Sequence, residues 1–213
     1  MRQLARWRTL EKGIPIGLLS AALCVPYVWR ESPTESLRVL QLWALPCVLV
    51  MLAAVTVAWG GDERPWREQL RLAGRFAVPA GIALGLICTV GEDRYTMAYF
   101  LDSFPKEPQD VLFALPWVGL FQVLFMVTGA FAFAFRLSRR RTVGLVVVVL
   151  LHQGVLILQP HADLPLEVLA LGVLFAGLHG LVLGWSYIAV GFAGPVVVAM
   201  VCHLRHLIRI LLT

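Results

Sequence analysis

Seven apolar runs of membrane length constrain the fold more than any other feature of this sequence. A bilayer core about 30 Å thick requires about 17–25 mostly apolar residues per helix. The chain is 59% hydrophobic and 15% charged, whereas a soluble domain is about 45–50% apolar. The sequence therefore predicts an all-α, polytopic transmembrane bundle of about seven spans, over residues 13–29, 37–59, 73–90, 111–135, 143–158, 164–190 and 192–212.

Clusters of basic residues predict the orientation of these helices. The clusters at 2–12, 64–75 and 136–141 fall on one side of the bundle, whereas the loop at 92–110 on the other side is acidic. Because cytoplasmic loops carry an excess of Lys and Arg, we expect a multi-pass protein of the bacterial inner (plasma) membrane with a cytoplasmic N-terminus. The basic C-terminal tail falls on the outer side, so either the last run is partly re-entrant or the tail departs from the rule.

The net charge of +5 does not indicate a nucleic-acid ligand. The arginines lie in short clusters between apolar runs instead of along a polar face, which is typical of residues that set membrane topology. We therefore expect the lipid bilayer and other membrane proteins as partners, and no nucleic acid.

The four cysteines are interpreted as structural. They lie inside apolar runs without a CxxC or Cys/His spacing of the metal-binding type, so buried thiols that act as small apolar side chains explain them. They are Cys24, Cys47, Cys88 and Cys202.

The sixth run carries a stripe of small residues. Ala176, Gly180 and Gly184 are spaced four apart, so they share one helical face and allow a neighbouring helix to approach closely. Gly191 and Pro195 then interrupt the helix. We expect the sixth and seventh runs to form a helical hairpin.

Histidines and carboxylates gather at the predicted outer ends of the last three helices. Ionisable groups near membrane depth are costly and are therefore candidates for function. Such a cluster in a partly hydrated cavity could activate water or hold a divalent metal, for which His203 and His206 are our candidate ligands. Alternatively, the groups lie at the headgroup boundary, where water satisfies them. The cluster consists of His161, Asp163, Glu167, His203 and His206.

Two further histidines, His152 and His179, lie inside predicted helices. His179 is next to the small-residue stripe, so an interhelical hydrogen bond explains it. Ligation of a haem would instead require the two histidines to face each other at similar depth. The sequence leaves any cofactor unknown.

The C-terminal half carries spacings that match a known family. Gly180, Gly184 and Tyr187 follow the pattern Gly-xxx-Gly-xx-Tyr with Pro195 downstream, and the fourth apolar run closes with arginines. In these features the chain resembles the CAAX-protease and bacteriocin-processing (CPBP, or Abi) family of intramembrane endopeptidases, with His161 in the place of the histidine of the second family motif.

The resemblance implies a fold and a reaction. It implies a CPBP-like core over residues 110–213, preceded by an N-terminal three-span region over residues 1–109 that ends in the acidic outer loop. In the family, glutamates activate water for attack on a peptide bond and histidines stabilise the oxyanion. The substrate would then be a peptide, and the catalytic residues that the resemblance implies are His161 and His203, with Glu167 or Asp163 as the carboxylate.

The sequence also departs from the family. No glutamate pair is present in the fourth run, where Gln122 is the nearest polar residue and Met126 or Thr128 replaces the arginine, and Leu207 replaces the final asparagine. The chain is therefore either a divergent endopeptidase or a relative that has lost catalysis. The alternative from another class is a non-enzymatic subunit of a larger membrane complex, with or without a bound cofactor. A transporter component is disfavoured because inverted repeats are not recognisable.

Overall fold

The chain forms a bundle of membrane-length α-helices. The computed structural model describes residues 7–60, 64–94, 104–158 and 164–212, with side chains from residue 11 onward. Within these ranges seven helices are long and apolar enough to cross a membrane. The predicted all-α, seven-span bundle is confirmed, and the chain is an integral membrane protein. The helices are α1 (Trp7–Glu31), α2 (Glu35–Trp59), α3 (Trp66–Asp93), α4 (Pro108–Ser138), α5 (Arg141–Leu158), α6 (Leu166–Val190) and α7 (Ala193–Leu212).

Local sequence explains where several helices begin and end. The Thr34 hydroxyl accepts a hydrogen bond from the Leu37 amide at the start of α2, and Glu107 and Asp110 form a capping box at the start of α4. Between α6 and α7 the chain turns at Gly191, whose φ of 98° is disfavoured for residues with a side chain. The predicted break at this glycine is thus a tight turn between two helices.

Two of the helices contain π-helical turns. They occur in α3 at Ala73–Ala77 and Cys88–Asp93, and in α4 at Trp117–Gly129. Such turns, with hydrogen bonds from i to i+5, are rare in α-helices and frequent at functional sites. The second turn of α3 begins and ends on residues that contact α7, as described below.

The helices pack as two groups that share α4. In the first group, Cys24 of α1, Leu49 of α2 and Leu124 of α4 are buried against one another. Helices α3 to α7 form the other core, which includes Phe131, Val148 and Tyr187. The division of the chain at residues 109 and 110 stays a prediction, and in the packing α3 lies with the C-terminal helices.

Glycines allow two pairs of helices to approach closely. A Cβ atom on Gly180 would lie 2.9 Å from the Val149 Cα atom, so the predicted stripe on α6 packs against α5. On α3, a Cβ atom on Gly81 would lie 2.8 Å from the Val201 Cβ atom. Gly85 lies one turn further along the same face of α3. A Cβ atom on Gly85 would lie 3.5 Å from the Cys202 carbonyl oxygen. This contact brings α7 against the end of α3.

Side chains at the start of α3 satisfy the backbone at the α6–α7 turn. Arg64 donates hydrogen bonds to the carbonyl oxygens of Ile188, at 3.1 Å, and of Ala189. The Gln69 side chain accepts a hydrogen bond of 3.2 Å from the Ala193 amide. These bonds supply partners for helix-end groups that α6 and α7 cannot satisfy internally. We call this region the Arg64 end of the bundle.

Ion pairs connect the helices at the opposite end. Arg30 at the end of α1 pairs with Asp110 at the start of α4, and Arg205 of α7 pairs with Asp93 at the end of α3. We call this region the Asp93 end. It is the side on which the sequence predicted the acidic loop and the histidine cluster.

Candidate functional site

A cavity of about 370 Å³ lies between α3, α4, α5, α6 and α7. This volume falls within the range of about 300–1,000 Å³ that is typical of ligand pockets. The cavity extends from the middle of the bundle to the Asp93 end, and valines and leucines form much of its wall. Its polar lining residues are Glu92, Gln122, His152, His179, Cys202, His203 and Arg205.

Three side chains beside this cavity could hold a metal ion. Cys88 of α3, His179 of α6 and Cys202 of α7 present ligand atoms that all lie within 4.8 Å of one another. The His179 Nε2 atom is 3.8 Å from the Cys88 Sγ atom and 3.7 Å from the Cys202 Sγ atom. Both thiols are buried, and Cys88 has no exposed surface. We call these three residues the Cys-His-Cys cluster.

The ring orientation of His179 is set by its own helix. Its Nδ1 atom is 3.2 Å from the Phe175 carbonyl oxygen, one turn earlier in α6. An Nδ1–H donor satisfies this carbonyl and leaves Nε2 as an acceptor near the Cys202 thiol, at 3.7 Å, whereas the Cys88 sulfur is about equally far from Nδ1, at 3.9 Å, and from Nε2, at 3.8 Å. The predicted interhelical contact of His179 is therefore made with cysteines of α3 and α7.

Arg205 connects the Cys-His-Cys cluster to the acidic groups of α3. Its Nη1 atom is 3.3 Å from the Cys202 Sγ atom, and its Nε and Nη2 atoms each donate a 3.1 Å hydrogen bond to Asp93. Its Nη2 atom is also 3.8 Å from a carboxylate oxygen of Glu92. Arg205 therefore contacts both the Cys202 sulfur and the acidic end of α3.

His203 and His206 lie next to each other on α7. Their rings are edge to face, with centroids 5.0 Å apart. The His203 Nε2 and His206 Nδ1 atoms are buried without a hydrogen-bond partner in the described ranges. Buried polar atoms in native proteins nearly always have partners, so these two nitrogens are exceptions that a ligand or an ordered water would satisfy. The predicted metal pair is thus close together, but no third ligand joins it among the described residues, and it stays a prediction.

The other predicted catalytic residues have different outcomes. His161 and Asp163 lie outside the described residues. Glu167 is exposed in the first turn of α6 and is not among the residues that line the cavity, whereas His203 is. The carboxylate that does line the cavity belongs to Glu92 of α3. The predicted catalytic set therefore stays a prediction, with His203 at the cavity wall.

His152 also faces the cavity, but its Nδ1 atom is 2.8 Å from the Val148 carbonyl oxygen of its own helix. This contact fixes the ring and leaves Nε2 for the cavity. Gln122 and Met126 of α4 line the same cavity.

Sequence reasoning missed the Cys-His-Cys cluster because it searched for ligands at short spacings. The three residues come from three different helices. In the sequence, Cys88 is 91 residues from His179, and Cys202 is 23 residues from it. A signal was nevertheless present. Gly81, Gly85 and Cys88 share one helical face, so a helix packed against the glycines must also lie close to the thiol.

Comparison of the chain with protein-family models, curated proteins and solved structures finds no match. The fold and the site define the class of the protein, a polytopic helical membrane protein with a partly polar cavity among its C-terminal helices.

Proposed function

We propose that the protein is a membrane-embedded endopeptidase, a divergent relative of the CPBP family. The single observation that carries this proposal is the cavity at membrane depth, into which His203, Glu92 and Arg205 all project. An intramembrane peptidase needs a cavity that admits water and the substrate backbone, together with groups that move protons and stabilise charge.

The cavity residues can be given roles in peptide hydrolysis. The unpartnered Nε2 atom of His203 can accept a proton from a water molecule as that water attacks the peptide carbonyl. Arg205 carries a fixed positive charge beside Glu92 and can stabilise negative charge that develops on the substrate. Valines and leucines of the wall would accept apolar substrate side chains.

The second candidate is a non-enzymatic subunit of a membrane complex. One specific observation favours it: the cavity wall carries Gln122 and Met126 near the positions where the family resemblance implies a glutamate and an arginine. A carboxamide is a poor proton acceptor, so a relative with these residues could retain the cavity and lose the reaction.

Proteolysis by the purified protein distinguishes the two candidates. The protein is reconstituted in lipid nanodiscs and incubated with membranes from a strain that lacks it, and new N-termini are identified by mass spectrometry. The variants are His203→Ala, Glu92→Gln and Glu167→Gln, and the matched control is Glu68→Gln, which alters an exposed residue of α3 away from the cavity.

Loss of a general base lowers rates by about 10²–10⁴-fold, so His203→Ala should remove the new N-termini while Glu68→Gln retains them. If a carboxylate also takes part, a loss in Glu92→Gln would identify the one that lines the cavity, and a loss in Glu167→Gln alone would identify one of the two predicted from sequence. Equal cleavage by wild type and His203→Ala, or cleavage by neither, would overturn the peptidase proposal and favour the non-enzymatic subunit.

We also propose that the Arg64 end and the N-terminus face the cytoplasm of a bacterial inner membrane. The distribution of arginines supports this orientation. Reporter fusions at residues 139 and 33 test it, since the two positions lie in connections at opposite ends of the bundle. Cytoplasmic activity at residue 33 would contradict it.

A further inference from the structure

We propose that Cys88, His179 and Cys202 bind a zinc ion, with the fourth coordination position directed at the cavity. This site is separate from the residues to which the proposed peptidase reaction assigns roles. It does not depend on that reaction, because it follows from the chemistry and geometry of the Cys-His-Cys cluster alone.

The spacing of the ligand atoms fits a tetrahedral ion. With Zn–S bonds of about 2.3 Å and Zn–N bonds of about 2.0–2.1 Å, a tetrahedral angle places sulfur and nitrogen about 3.6 Å apart. The two sulfur-to-nitrogen distances in the structure are 3.8 Å and 3.7 Å. Both distances lie within about 0.2 Å of this value, and the ligand atoms all lie within 4.8 Å of one another. Helices α3, α6 and α7 therefore already hold the ligand atoms near the spacing that the ion requires.

The surroundings of the cluster are those of a metal ligand set. A metal-bound histidine usually donates its other N–H to a carbonyl or carboxylate, which fixes the ring. His179 does so through Nδ1 and the Phe175 carbonyl oxygen, at 3.2 Å. Arg205 donates to the Cys202 sulfur, at 3.3 Å, and is itself held by Asp93.

The zinc-loaded Cys-His-Cys cluster is itself neutral. Two thiolates and a neutral imidazole together carry two negative charges, which a divalent ion cancels, while the nearby Arg205 is paired with Asp93 and also lies beside Glu92. Burying a net charge at membrane depth is costly, whereas a neutral complex is not. Binding would displace one proton from each thiol, so two protons leave as one zinc ion enters. Soft thiolates select zinc over magnesium or calcium.

The position of the cavity determines which coordination site stays open. His179 and Cys202 line the cavity, whereas Cys88 lies behind them. Three protein ligands with an open fourth position are typical of zinc sites that bind water or substrate, whereas structural sites are closed by four protein ligands. We expect a water molecule to complete the coordination from the cavity.

Zinc binding is tested on the full chain in detergent under reducing conditions. Metal content is measured by mass spectrometry, the stripped protein is titrated with Co²⁺, and the absorption bands of thiolate-bound Co²⁺ are recorded. The variants are Cys88→Ser, His179→Ala and Cys202→Ser. The matched controls are Cys24→Ser, which alters a buried thiol in the other packing group, and Cys47→Ser, which alters an exposed thiol.

The wild type and both controls should bind one equivalent of zinc and show the thiolate bands, and each cluster variant should lose both. Because a cluster variant could fail to fold, X-ray absorption of the zinc-loaded wild type provides a second measurement. Two sulfur neighbours at about 2.3 Å and one nitrogen neighbour at about 2.0–2.1 Å are expected. Absence of stoichiometric zinc, retention of the bands in the cluster variants, or a mass two daltons low from a Cys88–Cys202 disulfide would each overturn the site. The first of these results would leave a hydrogen-bonded trio.

Discussion

Arg205 and Asp93 are joined by two parallel hydrogen bonds of 3.1 Å, and both side chains are largely buried. The paired geometry is the one in which a guanidinium binds a carboxylate most strongly. Arg205 belongs to the basic C-terminal tail, which the positive-inside rule did not expect on the outer side. The ion pair explains how α7 carries this arginine there, because Asp93 of α3 neutralises its charge. The pair also holds the end of α7 beside the Cys-His-Cys cluster.

Removal of the Asp93 charge should destabilise the bundle. Breaking a buried ion pair by changing one partner costs about 3–5 kcal/mol, since the remaining charge is left buried. We expect Asp93→Asn to lower the free energy of unfolding by an amount of this order, measured by denaturation in mixed micelles. The control is Glu11→Gln, which alters an exposed carboxylate of α1. Equal stability of the two variants would show that the pair is not needed.

Arg64 should stabilise the α6–α7 turn. Its guanidinium provides the hydrogen bonds to the last carbonyls of α6, and hydrogen bonds to charged groups contribute about 1.5–3 kcal/mol. We predict a loss of this size in Arg64→Ala, measured by thermal unfolding in detergent. Arg67→Ala, an exposed arginine one turn further, should change stability by less than about 0.5 kcal/mol. A loss of similar size in both variants would attribute the effect to charge alone.

The close approach of α3 and α7 should not tolerate a methyl group at Gly81. The added Cβ atom would lie 3.0 Å from the Val198 carbonyl oxygen as well as against Val201. Overpacking costs about 1–3 kcal/mol, and the displaced α7 should also weaken zinc binding. Gly154→Ala is the control, because no atom lies within 4 Å of the added group and helix propensity favours alanine by up to about 1 kcal/mol. Unchanged stability and zinc affinity in Gly81→Ala would contradict the packing.

A buried hydrogen bond between hydroxyl groups connects α2 to α4. The Thr56 and Thr128 oxygens are 3.0 Å apart, and both residues are buried. Interhelical hydrogen bonds in membrane proteins contribute about 0.6 kcal/mol on average and up to about 1.7 kcal/mol. A double-mutant cycle with Thr56→Val and Thr128→Val should give a coupling energy in this range. Additive effects of the two substitutions would mean that the hydroxyls do not interact.

The fold was accessible from the sequence because the bilayer restricts it. Length and apolarity identify each helix, and the backbone must satisfy its hydrogen bonds within the helix. The spacing of Ala176, Gly180 and Gly184 also predicted a close helix contact correctly, although it could not name α5 as the partner. The basic cluster at 64–75 was used only to predict the orientation of the helices, but Arg64 also caps α6. Its partners are backbone carbonyls, which leave no trace in the sequence pattern.

The site was less accessible because its residues come from distant helices. His203 was singled out and does line the cavity, since a histidine near membrane depth is conspicuous in itself. Cys88 and Cys202 were interpreted as apolar side chains, and each looks so within its own helix. Only the crossing of α3 and α7 brings their sulfurs to His179.

The π-helical turn at Cys88–Asp93 gives α3 one surplus residue just where the thiol and the acid are needed. In a regular α-helix, residues five apart differ by about 140° around the axis, so Cys88 and Asp93 would face different neighbours. The wider turn reduces this difference, and α7 contacts both residues, through Cys202 beside Cys88 and through Arg205 bound to Asp93. Deletion of one residue from this turn would leave the membrane span intact while rotating the acid away from its arginine.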